Sequence, residues 1–384
     1  MTRDTPALSL YIHIPFCLQK CRYCDFLSLP RSDSSLLDDY TTALLTEIEL
    51  KAPPFRNRSV DTVYLGGGTP SLMDGAQINK VILRVRDYFN LDENVEVSLE
   101  ANPATVTRDK LMAFRDAGVN RISLGVQSFI DSDLKRLGRR HRLKDALQTV
   151  EDLNKLDWTN FNLDLIYGLP GQSIEGWLYN LETAIDLQPA HLSTYLLQLD
   201  PATPLGRELS QGLWQEASEE QLAAMYHQTR GLLARQGFIH YELSNYCRPG
   251  QECRHNLAYW QGRPYLGFGS GAVGCLDGRR IINPWPPADY IDALKTGGLP
   301  HGKVLEVMDQ REQLSEAMVM GLRLIEGISM EEIAVRLGIH PRAQYARLID
   351  EFVERAWLIE SCGKLRLNPE LYFVSNQVLC HFID

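Results

Sequence analysis

Apolar residues follow two spacings over the first 230 or so positions of the chain. Short runs rich in apolar and β-branched residues, often bounded by Gly, Pro or Asn, fall at 9–14, 62–65, 95–99, 121–124, 161–166 and 191–197, and read as strands. Between them, apolar positions recur three and four residues apart at 36–50, 77–89, 108–117, 143–156 and 174–187, with a further segment at 219–236. These predict amphipathic helices. The segment 108–117 shows why: Thr107 stands at the N-cap, Leu111 and Phe114 share a face, and Gly118 ends the run. Six β-then-α units in series predict a parallel sheet with right-handed crossovers.

The polar residues choose between an open sheet and a barrel. Cysteines follow the first strand, Gly66-Gly67-Gly68-Thr69-Pro70 the second, Glu100 the third and Gln127 the fourth, while Asp164 lies in or near the end of the fifth. In a barrel those ends converge on one mouth. A doubly wound sheet would gather them at a switch point instead. The expected fold is therefore α/β, a partial (β/α)6 TIM-like barrel over residues 1–238.

From 239 to 305 the period is lost, and Gly, Pro and aromatic residues predict short hairpins and loops. Helices return at 310–325, 330–337 and 343–355, with Ser329 and Glu332 spaced as a capping box. A small hairpin turning at Cys362-Gly363 and a last helix near 370–382 complete a winged-helix-like α+β module over 306–384.

Bulk properties narrow the function. Net charge is −10 over 384 residues, with a pI near 5.5, which argues against a nucleic-acid surface. Met1–Pro6 carry no apolar leader core, and no apolar run reaches membrane-spanning length, so a cytoplasmic protein is expected. Eight cysteines in such a chain read as metal ligands and reduced thiols rather than disulfides. Cys247, Cys253, Cys275, Cys362 and Cys380 have no tight pairing and read as structural thiols.

Cys17, Cys21 and Cys24 are different, because CxxxCxxC lets one short loop aim three thiolates at a single target. A zinc ion normally takes four ligands, so zinc would need a remote fourth. A [4Fe–4S] cube suits three thiolates better, with one iron left open to chelate a small molecule. The triple glycine after strand two lets backbone approach a ligand closely; alone it would read as a tight turn, and no GK[ST] follows to make a P-loop. Glu100 and Gln127 offer a carboxylate and an amide at the mouth, and Arg139 lies in the basic run 136–141. Asp164 is a charge inside an apolar strand, so it needs a partner or a ligand. Farther on, His255-Asn256-Leu257-Ala258-Tyr259-Trp260 sits in the loop-rich stretch beside Tyr241, Tyr246 and Tyr265. A histidine among aromatics can contact haem, though more often it is a hydrogen-bonded core residue. Cys247 and Cys253 are the alternative ligands there.

Taken in order, the cysteine loop, Gly66–Pro70, Glu100-Ala101-Asn102-Pro103, Gly125-Val126-Gln127 and 164–170 resemble radical-SAM proteins related to oxygen-independent coproporphyrinogen III oxidase. The resemblance spans nearly the whole chain, from Tyr11 to the C-terminal module. The oxidases resemble CxxxCxxCxC and carry a longer N-terminal arm; here Phe26 stands at the additional cysteine position and ten residues precede Tyr11. Both departures, with the HNxxYW run, resemble the HemW-type group of haem chaperones. That resemblance implies Cys17, Cys21 and Cys24 as ligands of a [4Fe–4S] cluster. It implies Tyr11, Tyr23, Gly67, Gly68, Thr69, Glu100, Gln127, Arg139 and Asp164 around S-adenosylmethionine (SAM), and His255 as the contact to haem carried as cargo. It also implies a haem-acceptor protein, respiratory and membrane-associated, and a homodimer. The competing readings are oxidative decarboxylation of coproporphyrinogen III in porphyrin biosynthesis, and a winged-helix regulator that binds nucleic acid.

Overall fold

The computed structural model describes residues 6–30 and 33–383, so Met1–Thr5, most of the stretch read above for a leader, lie outside it. Six β-then-α units open the chain: β1 (Leu8–Ile14) and α1 (Ser34–Lys51), β2 (Ser59–Gly67) and α2 (Gly75–Tyr88), β3 (Asn90–Ala101) and α3 (Arg108–Ala117). There follow β4 (Arg121–Gln127) with α4 (Asp131–Leu137) and α5 (Leu143–Lys155), β5 (Phe161–Tyr167) with α6 (Ile174–Asp186), and β6 (His191–Leu196) with α7 (Pro204–Ser210) and α8 (Glu219–Arg235). β1 to β6 pair in parallel, each with the next in sequence. Every strand expected from the sequence is present. Most run longer than expected, because ladder bonds carry them past their apolar centres. Thr107 caps α3 by accepting from the Lys110 N–H, and Gly118 ends it at φ 103°.

Alternation along these strands explains the shape. Ile122, Leu124 and Val126 on β4, and Leu163 and Leu165 on β5, are buried in the hydrophobic core. The residues between them, Arg121, Ser123, Gly125 and Gln127, then Asn162 and Asp164, line a cavity on the other face. One face is therefore apolar and the other polar, at the two-residue period of a strand. Each fully buried Leu or Ile on the core face contributes about 1.5–3 kcal/mol. Groups from the loop after β1 and from β2 to β6 all line the same cavity, which requires the sheet to curl. The partial barrel is thus present, but its interior holds a ligand-sized space of about 490 Å³ rather than layers of packed side chains.

The stretch 239–305 differs from its reading as loops and hairpins. It supplies β7 (Ile239–Glu242), β8 (Asn245–Cys247), α9 (Arg254–Trp260), β9 (Tyr265–Phe268), β10 (Val273–Leu276), β11 (Arg279–Ile282), α10 (Pro287–Lys295) and β12 (Lys303–Val307). These strands extend the barrel sheet on both sides, giving the order β12-β11-β10-β9-β1-β2-β3-β4-β5-β6-β8-β7. Both helices were missed because they are only 7 and 9 residues long, too short to display a helical period.

Toward the C-terminus lie α11 (Gln310–Gly321), β13 (Ile328–Ser329), α12 (Met330–Leu337), α13 (Pro341–Glu354), β14 (Leu358–Ser361), β15 (Lys364–Leu367) and α14 (Ser375–Leu379). The expected wing is the β14–β15 hairpin, joined by β13 into a three-stranded sheet. The last helix is broken into a five-residue α14 flanked by 3-10 turns at Pro369–Leu371 and Cys380–Phe382. Ser329 accepts from the Glu332 N–H at the start of α12. Among the described residues no helix is long and apolar enough to cross a membrane.

Candidate cluster and nucleoside site

The cysteine loop hangs from a clasp. Cys17 N–H donates to the Leu29 carbonyl at 2.9 Å and Leu29 N–H donates to the Pro15 carbonyl at 2.7 Å, so the loop leaves and rejoins the end of β1 at one point. Its middle is pinned as well: Arg22 N–H donates to the Leu137 carbonyl, the Leu205 N–H donates to the Arg22 carbonyl, and Arg22 pairs with Glu208. Tyr23 packs in a small apolar cluster of Leu137, Ile166, Leu169 and Leu205. The thirteen residues 17–29, fixed at both ends, therefore present Cys17, Cys21 and Cys24 to the cavity.

Around the thiols stand polar donors. The Thr69 hydroxyl donates to Cys17 Sγ at 3.5 Å, and Arg139 Nη1 donates to Cys21 Sγ at 3.4 Å while Nη2 donates to the Gly125 carbonyl at 2.6 Å. Burial pushes the thiols of Cys17 and Cys24 up, the latter to about 11, so ligation must displace their protons. Among the described residues no three His, Cys, Asp or Glu side chains surround one point as a single metal ion would need. Cys17, Cys21 and Cys24 line one cavity, as a cube with three separate irons asks of them.

Gly67 and Gly68 form the wall opposite. Gly67 has φ 108°, and a Cβ there would lie 2.3 Å from the His13 ring. A Cβ on Gly68 would meet the backbone oxygens of Phe16 and Ile14 at 2.7 and 2.8 Å. Only glycine lets β2 run so close to the root of the cysteine loop. Glu100 is tied to this wall: Oε2 accepts from the Gly67 N–H at 3.0 Å and Oε1 from the Tyr64 hydroxyl at 2.9 Å. Burial raises its pKa to about 7 against those two hydrogen bonds, with Asp164 adding to the rise. Asp164 accepts from Ser123 and from Asn162 at 3.1 and 2.8 Å, which answers the partner its position demanded; burial raises its pKa too. Gln127 ends β4 at φ 70°, a left-handed conformation costing a non-glycine residue about 1–2 kcal/mol. Its amide is thereby laid over Gly125.

Eleven of the residues implied by the sequence line this one cavity: Cys17, Cys21, Cys24, Tyr23, Gly67, Gly68, Thr69, Glu100, Gln127, Arg139 and Asp164. Tyr11 lies in an adjoining slot of about 310 Å³, lined also by His13, Phe26, Leu27, Tyr259 and Tyr265, which shares Gly67 and Glu100 with the main cavity. His255 lines neither. It is 1% exposed in α9, with Nδ1 bonded to the Thr62 hydroxyl at 2.8 Å, Nε2 to the Tyr259 hydroxyl at 3.0 Å, and its ring stacked on Tyr64. Burial holds its pKa down near 3, so the ring is neutral. Residues the sequence reading passed over are Arg121, Ser123, Asn162, Ser193 and Tyr195, all on the cavity wall; Cys253, read from the sequence as an alternative haem ligand, and Asn256 of the HNxxYW run line it too. Polar residues at every second position of strands whose other positions are core were the available signal.

Buried histidines also set the acid response. His13, His141, His191, His240 and His255 all have pKa values lowered by burial. Unfolded, they bind protons near 6.5, so folding stability is intact above that pH and falls as pH drops toward their folded values. Glu100 and Glu242, both raised to about 7, act oppositely between about 4.5 and 7. Below about 4.5 only the histidines remain of these two sets. Thermal unfolding followed from pH 4.5 to 3.5 is expected to show a steep fall in Tm that His255→Gln shallows.

Residues 11–183 match the Radical SAM superfamily, and residues 308–370 match the HemN C-terminal domain. The chain is 33% identical over 376 residues to the haem chaperone HemW of Bacillus subtilis (strain 168), covering 98% of this chain and 99% of that protein. Against the haem chaperone HemW of Escherichia coli (strain K12) it is 37% identical over 379 residues, covering 95% and 97%. Coproporphyrinogen III oxidase (HemN) from Escherichia coli, a radical SAM enzyme, shares the fold with a TM-score of 0.84 over 99% of this chain and 90% of that one, at 22% identity.

Proposed function

We propose, from the premise that this chain belongs to the radical-SAM superfamily and within it to the HemW family of haem chaperones, that it binds haem and passes it to an acceptor protein. The observation that carries this reading is the likeness to those chaperones from end to end, together with a cluster-and-nucleoside cavity in which the expected side chains meet. Phe26, 63% exposed where the oxidases resemble a further cysteine, weighs against the decarboxylase.

Cys17, Cys21 and Cys24 would hold the [4Fe–4S] cluster, and the cluster when bound supplies an electron to the sulfonium of SAM. The protein's own groups do the rest. Gly67, Gly68 and Thr69 let the ligand approach without side-chain interference, Glu100 accepts from its ammonium, and Arg139 keeps a positive charge beside Cys21. Asp164 and Gln127 would face the nucleoside, and Tyr23 would stack against it. Because Glu100 loses its proton only near pH 7, SAM affinity is expected to rise as pH increases from 6 to 8. Calorimetric titration across that range checks it, and Glu100→Gln should flatten the dependence.

Haem would be the cargo, with His255 as its contact, the acceptor a respiratory membrane-associated protein, and the setting the cytoplasm. Iron ligation by His255 requires the bond at the ligating nitrogen to open, Nε2 to Tyr259 or Nδ1 to Thr62. The test is anaerobic reconstitution with iron and sulfide, then titration with haem and SAM, read by absorption and EPR. Stoichiometric haem binding that weakens at least tenfold in His255→Ala supports the reading, provided thermal unfolding shows the variant folded. Unchanged binding in the variant moves the contact elsewhere, Cys253 first. Stoichiometric conversion of coproporphyrinogen III to protoporphyrinogen would replace the chaperone by the oxidase.

A further inference from the structure

Arg121 has no part in the site as described, yet it is 3% exposed and lines the main cavity. It opens β4, six residues before Gln127, so it enters the cavity from the end remote from the cysteine loop. Its Nη1 is buried without a hydrogen-bond partner among the described residues. Glu96, the nearest carboxylate acting on it, is committed elsewhere. Glu96 Oε1 accepts from the His255 N–H at 3.2 Å and the Ser98 hydroxyl at 3.3 Å, and Oε2 from the Arg254 N–H at 3.0 Å. Glu96 thus serves the start of α9, and the guanidinium is left facing the cavity. Asp164, the other acid nearby, is held by Ser123 and Asn162.

An arginine donor kept out of water without a partner is costly, and proteins retain such groups where a ligand completes them. We infer that Arg121 is a receptor for a ligand carboxylate at the inner end of the barrel cavity. Two observations select that chemistry. A guanidinium fork matches a planar oxyanion, and the negative charges of Glu96 and Asp164 close by disfavour a dianion such as phosphate. Asn256 and Tyr195 flank the same end and can orient the group. The carboxylate could come from a propionate of haem lying edge-on, or from the amino-acid end of a second SAM-like molecule, distinct from the one whose ammonium meets Glu100.

The test compares the wild-type protein with Arg121→Met and Arg121→Lys. In the ligand-free protein, Arg121→Met is expected to melt at the same temperature as wild type or higher, since it removes an uncompensated buried donor; a clear drop would mean that Arg121 serves the fold, and overturns the inference. Binding is then measured for two pairs in the reconstituted protein: haem against haem dimethyl ester, and SAM against 5′-methylthioadenosine. In one pair the preference for the acid-bearing member should fall about tenfold to a hundredfold in Arg121→Met, as for a lost charge-assisted hydrogen bond. Arg121→Lys should recover part of it. Loss in the haem pair assigns a propionate, and loss in the SAM pair assigns an amino-acid carboxylate. Preferences equal within about twofold in wild type and Arg121→Met, for both pairs, overturn the receptor. Absence of haem binding by wild type would sink the chaperone reading alone and leave the SAM pair to decide.

Discussion

Serine in place of Cys17, Cys21 or Cys24 is expected to abolish cluster assembly, since three thiolates already leave one iron open and two cannot hold the cube. The reconstituted variants should lack the broad visible absorption and the SAM-responsive EPR signal of the wild type. The fold should survive. The loop is fixed by backbone bonds at Leu29, Leu137 and Leu205 that do not involve the sulfurs, and Cys21 and Cys24 are only partly buried. Thermal unfolding of the cluster-free Cys21 and Cys24 variants should therefore stay within about 1 kcal/mol of the cluster-free wild type, as for substitutions away from the core, with a larger loss for the buried Cys17. A variant that keeps a SAM-responsive cluster would show that the ligand set is wrong. A variant that unfolds would show that the thiols also support the barrel mouth.

Alanine at Gly68 should damage both fold and ligand binding through one methyl group. Its Cβ would lie 2.7–2.9 Å from Phe16 O, Ile14 O and Phe16 N, all backbone atoms that no rotamer change can move. The Gly68 N–H also donates to the Ile14 carbonyl at 2.8 Å, so relief requires β2 and the root of the cysteine loop to part. Overpacking of this kind costs about 1–3 kcal/mol. The displacement falls at Cys17, which follows Phe16 directly, so SAM affinity is expected to fall at least tenfold even in the fraction that folds. Denaturant unfolding and SAM titration on the same preparation check both halves. Alanine at Gly171 is a control: unlike Gly68 it has positive φ, but a Cβ there meets nothing within 4 Å. It should cost only the backbone strain and leave SAM affinity unchanged. Equal losses of affinity in the two variants would remove the steric argument.

Much of the barrel was legible in the linear chain because its strands and helices are long enough to repeat their pattern. Each crossover from β1 to β6 holds a helix of ten or more residues, though the seven-residue α4 escaped the reading, and caps such as Thr107 and Gly118 mark an end by local chemistry alone. The short α9 and α10 were not legible, and neither was the recruitment of β7 to β12 to the edges of the barrel sheet. Pairing between β1 and β9 joins residues some 250 positions apart, and no local pattern encodes it.

The site divides in the same way. CxxxCxxC and the glycine run declare themselves, because cluster ligation and close backbone approach need those residue types at that spacing. Asp164 announced that it required a partner; Asn162 lies two residues away on the same strand face, but Ser123 comes from a position that only the sheet register brings beside it. His255 read as a haem-ligand candidate in a loop-rich stretch, with a hydrogen-bonded core residue as the commoner reading. The fold places it in a helix, stacked on Tyr64 with both ring nitrogens bonded. Arg121 gave no signal, since a lone arginine at a strand start is ordinary until its surroundings are known.

The sequence by itself determined the order of elements, the ligand-bearing loop, the glycine wall and the family. These depend on residue type and near-neighbour spacing, which a chain states directly. The tertiary structure alone decided that the polar faces of the strands turn inward on a cavity, that α9 seals His255 beneath it, and that Arg121 is left without a partner at its inner end. Each depends on sheet curvature and register, which arise from packing between residues far apart in the chain.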